Sequence, residues 1–213
     1  MMNLPREYLF KHIIFALFIV LTACGSNKQE QTTIESSPVN QPGSIENFYI
    51  SDADQLQIAA ITIGEINEIH IGNEYLFRDC KDGSKCKYRN EDGKTVYDVK
   101  YKDEGFKIRD PEGNLLLKVK TSNGKIKIGL DEEMEDPYQI KLPSPDKASL
   151  VNSDKEVGQA RMGQDALPVK VTDGKNTCYI AGPRKSQVKV VIALPDADLK
   201  LRIVLLTELL IKE

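Results

Sequence analysis

Histidine is nearly missing from this sequence: two occur in 213 residues, and only His70 lies beyond the first 23. A metal centre built on several imidazoles, or a histidine relay, therefore lacks its raw material. Catalytic signatures are missing too. There is no G-x-S-x-G elbow, no H-E-x-x-H pair, no Walker loop and no Rossmann glycine pattern. Positive charge is not in excess, with 29 Lys and Arg against 32 Asp and Glu. Without the first 23 residues, which hold Arg6, Lys11 and Glu7, the balance is 27 to 31. Such a surface has no global attraction for polyanions, so no nucleic-acid partner is expected. Long apolar runs are also absent: residues 13–23 give eleven positions, against the ~20 that a spanning helix needs. These absences favour a protein without catalysis, cofactor or metal.

What is present begins with an address. Arg6, Lys11 and His12 precede the apolar run from Ile13 to Leu21, the charged and hydrophobic regions of a secretory signal. The run ends Leu21-Thr22-Ala23-Cys24, which resembles the lipobox of bacterial lipoproteins. That resemblance implies cleavage after Ala23, a diacylglycerol on the Cys24 thiol and about three acyl chains, palmitate among them, an effectively permanent anchor. It implies a cell-envelope location facing the periplasm or exterior. Gly25 after the cysteine resembles chains delivered to the outer membrane where the host has one. Residues 25–46, rich in Ser, Thr, Gln, Asn and Pro, have almost nothing to bury and read as a disordered tether reaching about 25 Å. The organisation expected is a signal at 1–23, a lipidated tether at 24–46 and a folded domain at 47–213.

From Phe48 onward, short apolar alternations are punctuated by turn dipeptides. Asp92-Gly93, Glu104-Gly105, Glu112-Gly113, Asn123-Gly124 and Asp173-Gly174 supply residues that tolerate positive φ. The first four glycines are 12, 8 and 11 residues apart, the spacing of antiparallel strands. Leu115, Leu117 and Val119 alternate with Lys118 and Lys120; beyond the turn, Ile126, Ile128 and Leu130 oppose Lys125 and Lys127. That is a hairpin with one dry and one wet face. Similar strands are expected at 58–63, 66–71, 75–77, 96–101, 106–110, 138–142, 148–152, 156–162, 169–172, 177–181 and 188–192. Residues 52–60 fit a helical turn capped by Ser51 as an alternative.

The dry faces need a common partner. Residues 199–211, LKLRIVLLTELLI, contain nine Leu, Ile or Val, and Lys200, Arg202, Thr207 and Glu208 scatter around the helical wheel. A helix apolar nearly all round must be enclosed. At ~1.5 Å per residue it spans about 20 Å, too short for the ~30 Å hydrocarbon layer, so protein encloses it. The expected fold is mainly β: a closed antiparallel barrel of about twelve strands around a hydrophobic C-terminal helix. The units FKIRDPEGNLLLKVK, GKIKIGL, YQIKLPSPDKASLVN and VKVTDGKNTCYIAG, with this helix, resemble the tubby C-terminal-like fold in its LURP-one-related and phospholipid-scramblase branch. The resemblance covers residues 65–213 and implies the same helix-centred barrel.

Few residues offer chemistry. Cys80 and Cys86 bracket a five-residue, Gly-containing loop; in an oxidising compartment this spacing suits a disulfide stapling a hairpin. A metal pair there lacks further ligands. Cys178 shares a strand face with Ile180, as a small buried hydrophobe would, while His70 faces outward if Ile69 and Ile71 face in. A Cys178–His70 nucleophilic pair, as an envelope hydrolase would need, is the alternative. The acidic run at 131–136 could gather Ca²⁺ but lacks the order of an EF-hand loop, and reads as a solvated connector. Scramblase relatives can carry a calcium segment, which has no match here. Tubby relatives can bind phosphoinositide through basic strand residues; Lys118, Lys120, Lys125 and Lys127 are the nearest equivalent, an outward ladder that a solvated face explains equally well. The leading expectation is thus a lipid-anchored, non-enzymatic binding or structural module, its protein partner unknown. Headgroup binding or scramblase-like action is the alternative.

Overall fold

The computed structural model describes residues 44–163 and 168–213; the signal-like segment, Cys24 and the tether up to residue 43 lie outside the described residues. Period-two alternation becomes fourteen strands. They are β1 (Glu46–Ser51), β2 (Gln57–Ile63), β3 (Asn67–Ile71), β4 (Glu74–Asp82) and β5 (Lys85–Arg89). Then come β6 (Thr95–Lys102), β7 (Gly105–Arg109), β8 (Leu115–Ser122), β9 (Lys125–Gly129) and β10 (Tyr138–Ser144). The last are β11 (Lys147–Asn152), β12 (Lys155–Arg161), β13 (Val169–Thr172) and β14 (Thr177–Ala181). Each pairs antiparallel with its neighbour in sequence, and β14 closes onto β1 with Ile180 opposite Ile50. A closed barrel leaves no edge to aggregate.

The count is fourteen rather than about twelve. β1 and β5 are the additions: β1, ENFYIS, buries only Phe48 and Ile50, and β5, KCKYR, only Cys86 and Tyr88. Residues 188–192 are not a strand. They lie in a 3-10 helix, Gln187–Ala193, buried over six consecutive residues. With β14 already paired to β1, no edge remains for them, and Val188, Val190, Val191 and Ile192 pack into the interior. Residues 57–60 are strand rather than helix: Asp52 folds the preceding turn by accepting from the amides of Asp54 and Leu56, both 3.0 Å. Leu130 lies beyond β9 and is 39% exposed, not inside with Ile128.

Most turn glycines behave as their dipeptides require: Gly93, Gly113, Gly124 and Gly174 all have positive φ. Gly105 does not. It opens β7, where a Cβ would come within 1.9 Å of the Val119 carbonyl oxygen on β8, so closeness of two strands demands the glycine there.

Inside the wall, Phe48, Ile61, Val99, Leu117, Ile128 and Leu150 are fully buried. They share one core with the 3-10 helix and with α1, Leu199–Lys212. Asp198 caps α1, accepting from the Leu201 amide at 2.8 Å. Residues 203–210 are buried without a break, so the helix is surrounded on every side. Among the described residues no helix is long and apolar enough to cross a membrane.

An up-and-down meander sorts its connections onto two rims. One is the tether rim, where β1 starts; it holds the connections at 64–66, 83–84, 103–104, 123–124, 145–146, 162–163 and 182–186, and the end of α1. Among the described residues its connections carry four Asp or Glu against Arg184 and Lys185. The far rim holds 52–56, 72–73, 90–94, 110–114, 130–137, 153–154, 173–176 and 194–198. Its connections carry fifteen Asp or Glu and only Lys94 and Lys175 in opposition.

Candidate functional site

Cys24 lies outside the described residues. Cys80 and Cys86 are directly opposed on β4 and β5, their sulfurs at bonding distance, 2.06 Å, and their Cα atoms 4.1 Å apart. The staple sits at the tether rim.

The expected lysine ladder is divided. Lys120 and Lys127 face each other across β8 and β9, and with Lys125 they are exposed. Lys118 is different. Its ammonium donates to the Glu132 carbonyl and lies 3.6 Å from the Glu132 carboxylate. Lys107 bonds the same carboxylate, and Arg109 reaches its other oxygen at 2.6 Å. The hydrogen bond from Lys107 and then that from Arg109 hold this carboxyl down at about 2. The acidic run is therefore a connector pinned to the wall by Glu132. Asp131 accepts from the Met134 amide and Asp136 from the Ser153 hydroxyl. No group of three or more potential metal ligands occurs among the described residues.

Cys178 and His70 are not brought together. Cys178 faces the interior opposite the buried Val171; His70 is on the outer face, its ring stacked on Tyr75 with centroids 4.2 Å apart. The barrel wall separates them. Burial pushes the Cys178 thiol up to about 11, which keeps it protonated and a poor nucleophile at neutral pH. It is half-buried rather than sealed, lining a cavity of about 460 Å³ at the far rim with Ile58, Val171, Ile192, Leu199 and Arg202. Arg202 already spends two nitrogens on main-chain oxygens, Ala197 and Ile192, both at 2.8 Å. These bonds hold the loop that reverses the chain into α1.

The most concentrated polar chemistry was not singled out from the sequence. Glu208, with no exposed area, accepts from Arg78 Nε at 2.8 Å and from the Tyr88 hydroxyl at 2.7 Å. Arg78 also donates to the Tyr101 hydroxyl at 2.8 Å. Burial first, then the Glu208 charge, raises the Tyr88 phenol well above its usual range, so it stays a donor. Nearby, Lys212 lies over the rings of Tyr101 and Phe106 at 5.2 and 5.8 Å. A carboxylate inside so apolar a helix demands a buried cation; nothing local in the sequence says that the cation is 130 residues away. These bonds anchor α1 to β4 and β5.

A second buried cation, Lys189, donates to the Arg184 carbonyl at 2.9 Å and lies 5.5 Å from the Phe48 ring centre. Burial lowers it to about 8. Arg184 binds Glu46 at 2.9 Å and the Leu210 carbonyl at 2.6 Å, while Ser186 donates to Glu213 at 2.9 Å. These contacts tie the start of β1 to the end of α1.

No protein family, curated protein or solved structure matches the chain.

Proposed function

We propose that the protein is a lipid-anchored envelope module, held at the membrane through Cys24, whose barrel binds or supports another component without catalysis. The observation that carries this reading is the filled axis: α1 and the 3-10 helix occupy the space where a hollow barrel would hold a substrate. What such a barrel can offer is its outside and its two rims. The Leu21-Thr22-Ala23-Cys24 pattern and the polar tether, which ends where β1 begins, support the anchor. The separation of Cys178 from His70 argues against a hydrolase built on that pair.

Scramblase-like transport would need a path for acyl chains, for which a filled interior leaves no room. Headgroup contact stays compatible with the exposed Lys120, Lys125 and Lys127. The decisive experiment is metabolic labelling with a fatty acid. The native chain is expected to incorporate label, and Cys24→Ala to lose all of it and leave the membrane fraction or stay unprocessed. Label retained by Cys24→Ala overturns the anchor.

A further inference from the structure

The rims differ in more than charge count, and the difference falls on the axis that an anchored protein would use. Lys81, Lys85, Lys102, Lys120, Lys125 and Lys127 are all exposed on or beside the tether rim. None of the six is engaged in a salt bridge among the described residues. Lys120, Lys125 and Lys127 border an open hollow of about 270 Å³ with Glu104, Ser122 and Asn123. Both rims expose apolar side chains, Ile45 at 66%, Ile66 at 68% and Leu142 at 49% here and Leu56 at 66% and Leu130 at 39% on the far rim, so it is the neighbouring charge that separates them. Ile45 and Ile66 line one shallow hollow just where the chain leaves toward Cys24. Lysines interspersed with exposed aliphatic groups are the composition of a surface that rests in a headgroup layer. The opposite rim, whose connections set fifteen carboxylates against Lys94 and Lys175, would be repelled by such a layer.

We propose that the tether rim docks onto an anionic lipid surface, so that the barrel stands upright with its acidic rim turned away from the membrane. The proposal rests on the anchor reading for its geometry and adds a face and a ligand class to it: phospholipid headgroups of net negative charge. The lysines supply attraction that falls within a Debye length, about 10 Å at 0.1 M salt, and Ile45, Ile66 and Leu142 seat in the interface. The anchor limits how far the barrel can drift. The charge pattern decides which end faces down.

The test uses the full-length lipidated protein, purified from its producing cells in detergent and added to vesicles. One set is phosphatidylcholine alone; the other contains phosphatidylglycerol as about a third of its lipid. Flotation with the neutral vesicles reads the anchor. Lysine acylation followed by mass mapping reads the orientation. In the anionic vesicles Lys81, Lys85, Lys120, Lys125 and Lys127 are expected to react about threefold or more slowly than in the neutral ones, with recovery at ~0.5 M salt. Lys94, Lys155 and Lys175, at the far rim, are expected to react equally in both. Protein that floats with both sets yet shows the same lysine reactivities overturns the docking surface and leaves the anchor standing. Protein that fails to float with neutral vesicles but shows the footprint on anionic ones overturns the anchor and leaves the docking surface standing. Combining Lys120→Glu, Lys125→Glu and Lys127→Glu is expected to remove the protection of Lys81 and Lys85 while flotation and the far-rim reactivities hold. Protection that survives the triple change overturns the proposal.

Discussion

The two ends of this barrel are built from the same hairpins and held in different ways. At the far rim the bonds are mostly short in sequence. Asp52 accepts from the amides two and four residues on, Asp110 from Asn114 at 2.7 Å, and Asp173 from Asn176 at 2.7 Å. Each is a small acidic side chain closing its own turn. The tether rim closes some turns in the same way, Asp82 accepting from Ser84 and Asp146 from Ser144, and adds partners farther apart in the chain, Arg184 with the Leu210 carbonyl and Ser186 with Glu213; deeper in the barrel Glu208 meets Arg78 and Tyr88. Local closure can form before the barrel does. The long-range contacts cannot, because they exist only once the helix is inside. The wall is therefore largely self-specifying strand by strand, whereas the helix is placed by contacts that need the closed barrel: Lys200 with Glu74 at the far rim, Glu208 with Arg78 in the middle, and the Leu210 carbonyl with Arg184 at the tether rim.

The largest expected effect comes from removing the helix. A chain ending at Leu194 keeps the 3-10 helix but strips α1 out of the core, a loss expected to exceed the roughly 5–15 kcal/mol by which a whole domain is stable. It is expected to lose its cooperative urea transition. A truncated chain that remains folded and monomeric would show the wall to be independent of its filling.

Next is the buried pair. Arg78→Met leaves Glu208 unpaired in the core and is expected to cost about 3–5 kcal/mol, read as a fall in the urea midpoint. Adding Glu208→Leu should restore most of that loss, since the stranded charge is then gone. If Arg78→Met is nearly neutral, the buried pair does not hold the helix.

The smallest effect belongs to the far rim and is a matter of pH. The Glu132 carboxyl is held at about 2, first by its hydrogen bond from Lys107 and then by that from Arg109. A depressed carboxyl contributes stability above its unfolded pKa, about 4.3, and loses it as pH falls through the folded value. The native chain should therefore exceed Glu132→Gln slightly at pH 6, and the two unfolding curves should converge between pH about 4 and 2. A gap that persists in acid would assign the role of Glu132 to packing rather than charge.

Much of the wall was legible because a strand announces itself locally. Residues 169–172 and 177–181 are strands as their alternation and Asp-Gly turn require, and Asn123-Gly124 turns where expected. Residues 188–192 have the same apolar look but pack as a 3-10 helix, because strand and buried helix are indistinguishable over so short a run. The lysines illustrate the same limit. Lys118, Lys120, Lys125 and Lys127 share one outward pattern, yet only Lys118 lies beside the loop carrying Glu132.

The hairpins and their turns, the all-round apolarity that sends residues 199–211 inside, and the pairing of Cys80 with Cys86 across one short loop are readable from the chain alone. Each depends on residues a few positions apart, where spacing dictates geometry. That β14 meets β1, that Glu208 finds Arg78, and that carboxylates gather on one rim while lysines without salt bridges crowd the other emerge in three dimensions. Those outcomes follow from closing the barrel, which brings together residues more than a hundred positions apart and alternates every connection between two ends.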